Sequence, residues 1–185
     1  AADMVRASPY LRAMCRVYKS VIEFGETGSV YRVMAGPDSH GVVHGTSPHV
    51  AILDEMHVWP AGSGDELYEA VRTGTAARQQ PLIITISTAG AEKSGPLWRL
   101  LERGQSGKDK RMYTYWRQAP DGCKVTDRKA WRMANPASWV DEKFLAEQLK
   151  AVPEPVFRRL HLNQWVDANG STGAFPRERW DACRG

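Results

Sequence analysis

An α/β fold, with helices flanking a mainly parallel sheet, is what this 185-residue sequence predicts. Three observations carry it. The stretch Pro48–Trp59 (PHVAILDEMHVW) runs from a turn-former through a short apolar strand into two adjacent carboxylates, Asp54 and Glu55. A second apolar, β-branched run, Leu82–Ile86, ends in Ser87-Thr88-Ala89-Gly90. Between them, residues 65–76 place Leu67, Ala70 and Val71 on one helical face. Short apolar runs bounded by turn-formers fit strands buried on both faces, as in a parallel sheet covered by helices. Strand, helix and strand in that order need a crossover that a helix supplies.

The remaining elements follow along the chain. Ser8-Pro9 opens a helix, with serine as cap and proline in the first turn, and Leu11, Met14, Cys15 and Tyr18 recur at helical spacing. Residues 21–24 and 30–35 flank Gly25-Glu26-Thr27-Gly28 as a hairpin. Residues 36–48 read as a loop. Ser63 and Glu66 make a capping-box pattern for the helix that follows. Ser94-Gly95-Pro96 starts a helix through Leu97, Leu100 and Leu101 that stops at Gly104. A basic loop, GQSGKDK, precedes a third expected strand at 112–116 (MYTYW). After Pro120 the texture turns helical. Asn135-Pro136 is a turn, Ser138 caps a helix through Val140, Phe144, Leu145 and Leu149, and a second helix carries Val156, Phe157 and Leu160. Trp131, Trp139 and Trp165 are expected in its core rather than as platforms for stacking bases. The predicted division is a sheet domain at 1–120, a helical subdomain at 121–166 and an exit segment at 167–185.

Composition narrows the function. Hydrophobic content of 42% and charged content of 25% are those of an ordinary globular domain with one core. The net charge of +4 is compatible with a nucleic-acid partner without specifying one. No apolar run approaches the ~20 residues of a membrane helix, and no secretory signal is recognisable. Cys15, Cys123 and Cys183 form no CxxC pair, so a disulfide framework or zinc ribbon is not expected, and a reducing cytosol is the simpler setting. His40 and His44 have the spacing of helical metal ligands, but the surrounding glycines and proline oppose a helix there. Asn169-Gly170-Ser171 matches a glycosylation sequon and reads as a loop.

The carboxylate pair is the strongest chemical signal. Open α/β folds bind ligands outside the carboxyl ends of their strands, where one acid can help to hold Mg²⁺ and a second can orient or deprotonate water. Acids at a strand end are also ordinary solvated groups, and the pair alone leaves both readings open.

Further residues give the pair a context. Gly45–His57 (GTSPHVAILDEMH), Gly74-Thr75 with Ala77–Pro81 (ARQQP), Leu82–Gly90 (LIITISTAG), Gly28-Ser29 with Tyr31 and Val33, Asn135-Pro136 and Leu162–Val166 (LNQWV) together resemble the ATPase domain of tailed-phage terminase large subunits, the motors that package DNA into capsids. The resemblance covers about residues 4–180. DE after an apolar strand is a common pattern; DExH joined to RQQPLIITISTAG at this spacing is far more specific.

The resemblance implies a P-loop NTPase fold of the RecA/ASCE type, with the helical part as a small lid subdomain. It implies Mg²⁺ and ATP as cofactors, with Asp54 as the Walker B, metal-binding aspartate and Glu55 as the catalytic glutamate. Ser87, Thr88 and Ala89 would be the coupling motif, whose strand-end hydroxyls sense the γ-phosphate; a plain strand-to-helix turn is the simpler alternative. His57 would contact that motif or pack beside Trp59. Arg78 would touch phosphate or DNA, or else stabilise a helix end from solvent. Members of the family are expected to supply an arginine finger in trans from the loop before Walker B. That loop has His40, His44 and His49 but no arginine, and Arg32, Arg72 and Arg78 are the nearby candidates.

The implied partners are double-stranded DNA, the portal and the small terminase subunit, in a homo-oligomeric ring without membrane contact, in the cytoplasm of an infected bacterial host. The sequence departs from the family in one respect. No G-x-x-x-x-G-K-[ST] phosphate loop occurs in these 185 residues. The expectation is an internal fragment, with that loop upstream and a ribonuclease-H-like nuclease domain downstream. A DExH-type helicase-like motor, or a non-catalytic basic domain that binds DNA or a partner, are the alternatives.

Overall fold

A computed structural model describes residues 1–34 and 45–166. Two short helices, α1 (Ala2–Ala7) and α2 (Pro9–Met14), lead into an antiparallel sheet of β1 (Cys15–Val17), β2 (Val21–Phe24) and β3 (Ser29–Arg32). Ser8 caps α2 as expected, its side chain accepting the Leu11 N–H. The predicted continuation of that helix through Tyr18 does not occur. Cys15 turns extended and pairs with Phe24, so Cys15–Val17 adds a strand to the hairpin. The hairpin itself is present, with Gly28 at φ 65° and its N–H donating to Phe24 O.

The second sheet positions the site. β4 (Val50–Asp54) and β5 (Leu82–Ile86) pair in parallel, Val50 opposite Leu82 and Asp54 opposite Ile86. α3 (Ser63–Gly74) connects them, and α4 (Gly95–Gln105) follows β5. Leu53 and Met56 pack with Leu67, Ala70 and Val71 of α3 and Leu97 of α4 as one buried cluster. Only that face of the strand pair is covered by described residues. Val50 and Ile52 on β4, and Leu82, Ile84 and Ile86 on β5, are exposed side by side on the other. The expectation of strands buried on both faces therefore holds for one. Among the described residues, β4 and β5 are the parallel pair and the other three strands are antiparallel.

One helix start and one helix end differ from the predicted ones. At α3 the Gly62 N–H donates to the Asp65 carboxylate, so Asp65, not Glu66, closes the first turn. α4 runs one residue past Gly104, which has a packing role instead. A Cβ there would collide with Thr114 Oγ1, so the bare backbone lets residues 112–116 pass against α4. That segment was predicted as a strand. Its burial alternates, with Tyr113 and Tyr115 outward, yet it joins no ladder among the described residues.

The helical part closes around its own core. α5 (Arg128–Ala134), α6 (Glu142–Ala151) and α7 (Glu154–Leu162) bury Ala130, Trp131, Leu145, Phe157 and Leu162 together with Ala119. Asp127 caps α5 through the Lys129 and Ala130 N–H groups, and Asp141, rather than the predicted Ser138, caps α6 by accepting from Phe144 N. Trp131 is buried, but Trp139 is 83% exposed and contributes nothing to the core. His40, His44 and the segment from 167 onward, with Cys183 and the sequon, lie outside the described residues.

Candidate active site at the strand ends

β4 and β5 deliver their C-terminal residues to the same end because they run parallel. The ladder continues one step past β4, where Glu55 N–H donates to Ile86 O at 2.9 Å and also to Asp54 Oδ1 at 3.0 Å. Glu55 then leaves the strand in the left-handed region, at φ 50° and ψ 40°. For a residue with a Cβ this conformation costs about 1–2 kcal/mol. It turns the chain directly into a 3₁₀ turn at Met56–Val58 whose Met56 anchors in the core. The strained backbone thus aims one carboxylate outward while burying the next side chain.

His57 gathers the cluster. Its N–H donates to Ser87 Oγ at 2.9 Å, and its Nδ1 lies 3.0 Å from Glu55 Oε2, 3.3 Å from Ser87 Oγ and 3.4 Å from Thr88 Oγ1. Ser87 Oγ in turn donates to Thr88 O. The His57 side chain is 10% exposed and that of Glu55 60% exposed, so the histidine is a fixed wall and the glutamate a reachable group. Nδ1 carries at most one proton, and three oxygens compete for it. The carboxylate and the hydroxyl pair are consequently linked through one imidazole. Of the two placements predicted for His57, contact with Ser87 and Thr88 is the one observed.

Asp54 is exposed at the strand end, with one carboxylate oxygen engaged by the Glu55 N–H. No cluster of three or more His, Cys, Asp or Glu able to enclose a metal exists among the described residues. A single exposed carboxylate fits a Mg²⁺ that keeps several waters and takes its remaining ligands from phosphates. Ala89, fully buried, and Gly90, also buried, follow Ser87 and Thr88. Ala89 N–H donates to Asn163 Oδ1 at 2.7 Å.

Arg78 does not join this group. Its Nε donates to Ser47 O at 2.8 Å, at the amino ends of the strands, roughly 13 Å or more from Glu55 at a strand's rise of about 3.3 Å per residue. Arg72 pairs with Glu69 on α3. No arginine is hydrogen-bonded to Glu55, His57, Ser87 or Thr88 among the described residues.

Beside the strand ends lies a cavity of about 260 Å³, lined by Ser87, Thr88, Trp116, Arg117, His161 and Asn163 among others. It runs from the hydroxyl pair to the helical part. Sequence reasoning placed Asn163 within a landmark of the family but gave it no role. Its signal was an asparagine directly after a helix, where the left-handed conformation is tolerated.

The family model for the terminase large subunit ATPase domain matches residues 9–104, which hold β4, β5 and every residue of the cluster. The chain belongs to the terminase large subunit ATPase-domain family. A terminase large subunit of Enterobacteria phage HK97 is 32% identical over 147 residues, covering 76% of this chain and 29% of that protein. Protein YmfN of Escherichia coli K12 is 32% identical over 152 residues, covering 75% of this chain and 32% of its own length. The crystal structure of the HK97 bacteriophage large terminase superposes with a TM-score of 0.74 at 28% identity, over 88% of this chain and 35% of that one. This terminase ATPase-domain chain thus spans about a third of the length of these relatives.

Proposed function

We propose that this chain forms the hydrolytic half of a DNA-packaging ATPase. In the complete protein, ATP hydrolysis at the β4–β5 strand ends would drive translocation of double-stranded DNA. The observation that carries the reading is the convergence of Asp54, Glu55, His57, Ser87 and Thr88 at the carboxyl ends of one parallel strand pair. Membership of the family supports it.

Each residue has a task in this reading. Glu55 accepts the proton of the water that attacks the γ-phosphate, and its exposed carboxylate is steered by His57 Nδ1. Ser87 and Thr88 meet the γ-phosphate side of the nucleotide and, through His57, share a hydrogen-bond centre with Glu55. Asp54 holds Mg²⁺ directly or through water. When bound, that ion would neutralise charge on the phosphates. No G-x-x-x-x-G-K-[ST] occurs in these 185 residues, so in this reading their own contribution is the hydrolytic side of the site and not the phosphate cradle. The helical part around Phe157 serves as the lid. A nuclease domain, a ring of copies, the portal and the small terminase subunit complete the machine in the cytoplasm of the host.

The test is Mg²⁺-ATP turnover by the complete protein, with and without double-stranded DNA, beside its Asp54→Asn variant. The reading expects DNA-dependent turnover that Asp54→Asn reduces by about 100-fold or more. An Asp54→Asn protein as active as its parent would refute the assignment.

A further inference from the structure

We propose that Asn163 and Trp165 form the mechanical link that carries the state of the Ser87–Ala89 strand end into the helical part. This rests on the reading of Ser87 and Thr88 as nucleotide-sensing groups, and adds the residues through which the signal leaves them.

The segment after α7 is built as a clamp. Leu162 belongs to the helical core and Trp165, three residues on, packs against the core of the sheet. Asn163 holds φ 53° and ψ 34° between them. Its side chain uses both ends of the amide. Oδ1 accepts the Ala89 N–H at 2.7 Å, and Nδ2 donates to Arg117 O at 2.7 Å. One side chain therefore joins three backbone segments: the end of β5, the extended stretch that follows α4, and the end of α7. Gln164 fixes the next step. It is buried, its Nε2 donates to Pro120 O at 2.8 Å, and its Oε1 accepts from Arg158 of α7 at 3.0 Å.

Trp165 makes the second contact. Its ring lies so close to Gly90 that a Cβ there would be 2.6 Å from Cζ3. It meets Trp98 of α4 edge-on at 4.9 Å and stacks with Trp116 at 6.4 Å. Its Nε1 is buried and has no partner among the described residues. Packing, not hydrogen bonding, thus holds the ring against the strand end. Any displacement of residues 87–90 meets a hydrogen bond at Ala89 and a ring at Gly90, both attached to the end of α7. On the other side, Asn135 Nδ2 donates to His161 O at 2.7 Å, passing the connection to the end of α5.

Hydrogen exchange tests this in the complete protein carrying Glu55→Gln, which would hold Mg²⁺-ATP without turning it over. Asn163→Gly keeps the left-handed backbone and removes both side-chain bonds. Asn163→Asp keeps the Ala89 acceptor and loses the donor to Arg117. With Asn163 present, ATP is expected to slow exchange at residues 86–90 and at 154–162 together. With Asn163→Gly, the effect at 86–90 remains, while that at 154–162 falls by about tenfold, within the usual range of a coupling between sites. Asn163→Asp is expected to lie between them. An undiminished response of 154–162 in Asn163→Gly would overturn the link. No response at 86–90 even with Asn163 present would instead overturn the nucleotide-sensing reading, and the link with it.

Discussion

Around β4 and β5 the described residues cover only one face of the sheet, whereas the three helices α5–α7 close on all sides of Phe157. Leu53 and Met56 are buried against α3 and α4, but Val50, Ile52, Leu82, Ile84 and Ile86 form a bare apolar face. In the helical part Leu145, Phe157 and Leu162 are almost wholly buried among their own neighbours. The candidate site, with Asp54, Glu55, His57, Ser87 and Thr88, lies on the half-covered region. A parallel sheet normally has both faces covered; among the described residues this strand pair has one, and the helices close on themselves. Residues 163–165 connect the two.

That contrast can be broken from either side. The largest effect is expected from Phe157→Ala, which empties the centre of the closed core. It should cost about 3–5 kcal/mol, read from chemical denaturation, with the loss of helical signal centred on 128–162. Next comes a pair on one strand. Leu53 is 5% exposed and its neighbour Ile52 55%. Leu53→Ala should cost about 2–4 kcal/mol, and Ile52→Thr within about 0.5 kcal/mol. Equal losses at the two positions would show that both faces are covered after all. A third variant sharpens the site itself. Glu55→Gly removes the left-handed penalty of about 1–2 kcal/mol but adds the chain entropy of glycine, about 0.5–1 kcal/mol. The net expectation is a protein up to about 1.5 kcal/mol more stable and unable to turn over ATP.

The smallest effect is a pH dependence confined to the helical part. Burial lowers the pKa of His161 from its ordinary 6.5, and its ring is held between Phe144 and Phe157 at 5.9 and 5.1 Å. The unfolded chain binds the proton more tightly, so the stability tied to this group is present above pH 6.5 and declines as pH falls below it. His161→Phe should flatten that decline in unfolding curves taken from pH 7.5 to 5.5. An unchanged slope would place the titrating group elsewhere.

Much of the strand-end region was legible because burial writes strong patterns. The apolar runs before Asp54 and Ser87 set both strands, and Leu67, Ala70 and Val71 set the helix between them. What escaped was decided by contacts outside the local sequence. Cys15–Val17 carries a helical spacing but is captured by the edge of β2. α5 has a single buried stripe, Ala130 and Trp131, between cationic residues, too short to show a period. The caps Asp65 and Asp141 stood beside plausible serines, and only geometry chose between them. Asp54, Glu55, His57, Ser87 and Thr88 lie together at the strand ends, while a hydrogen bond to Ser47 holds Arg78 at the opposite end. Asn163 could not be found from spacing, since its partners are 74 and 46 positions away.

The most direct measurement is a single turnover of ATP by the complete protein with Glu55→Gln. Glutamine keeps the size and exposure of the side chain but cannot take a proton from water. ATP is expected to bind with unchanged affinity, and hydrolysis to slow by about 10²–10⁴-fold. Hydrolysis at the parental rate would contradict the role given to Glu55 and, with it, the placement of the catalytic centre at the ends of β4 and β5.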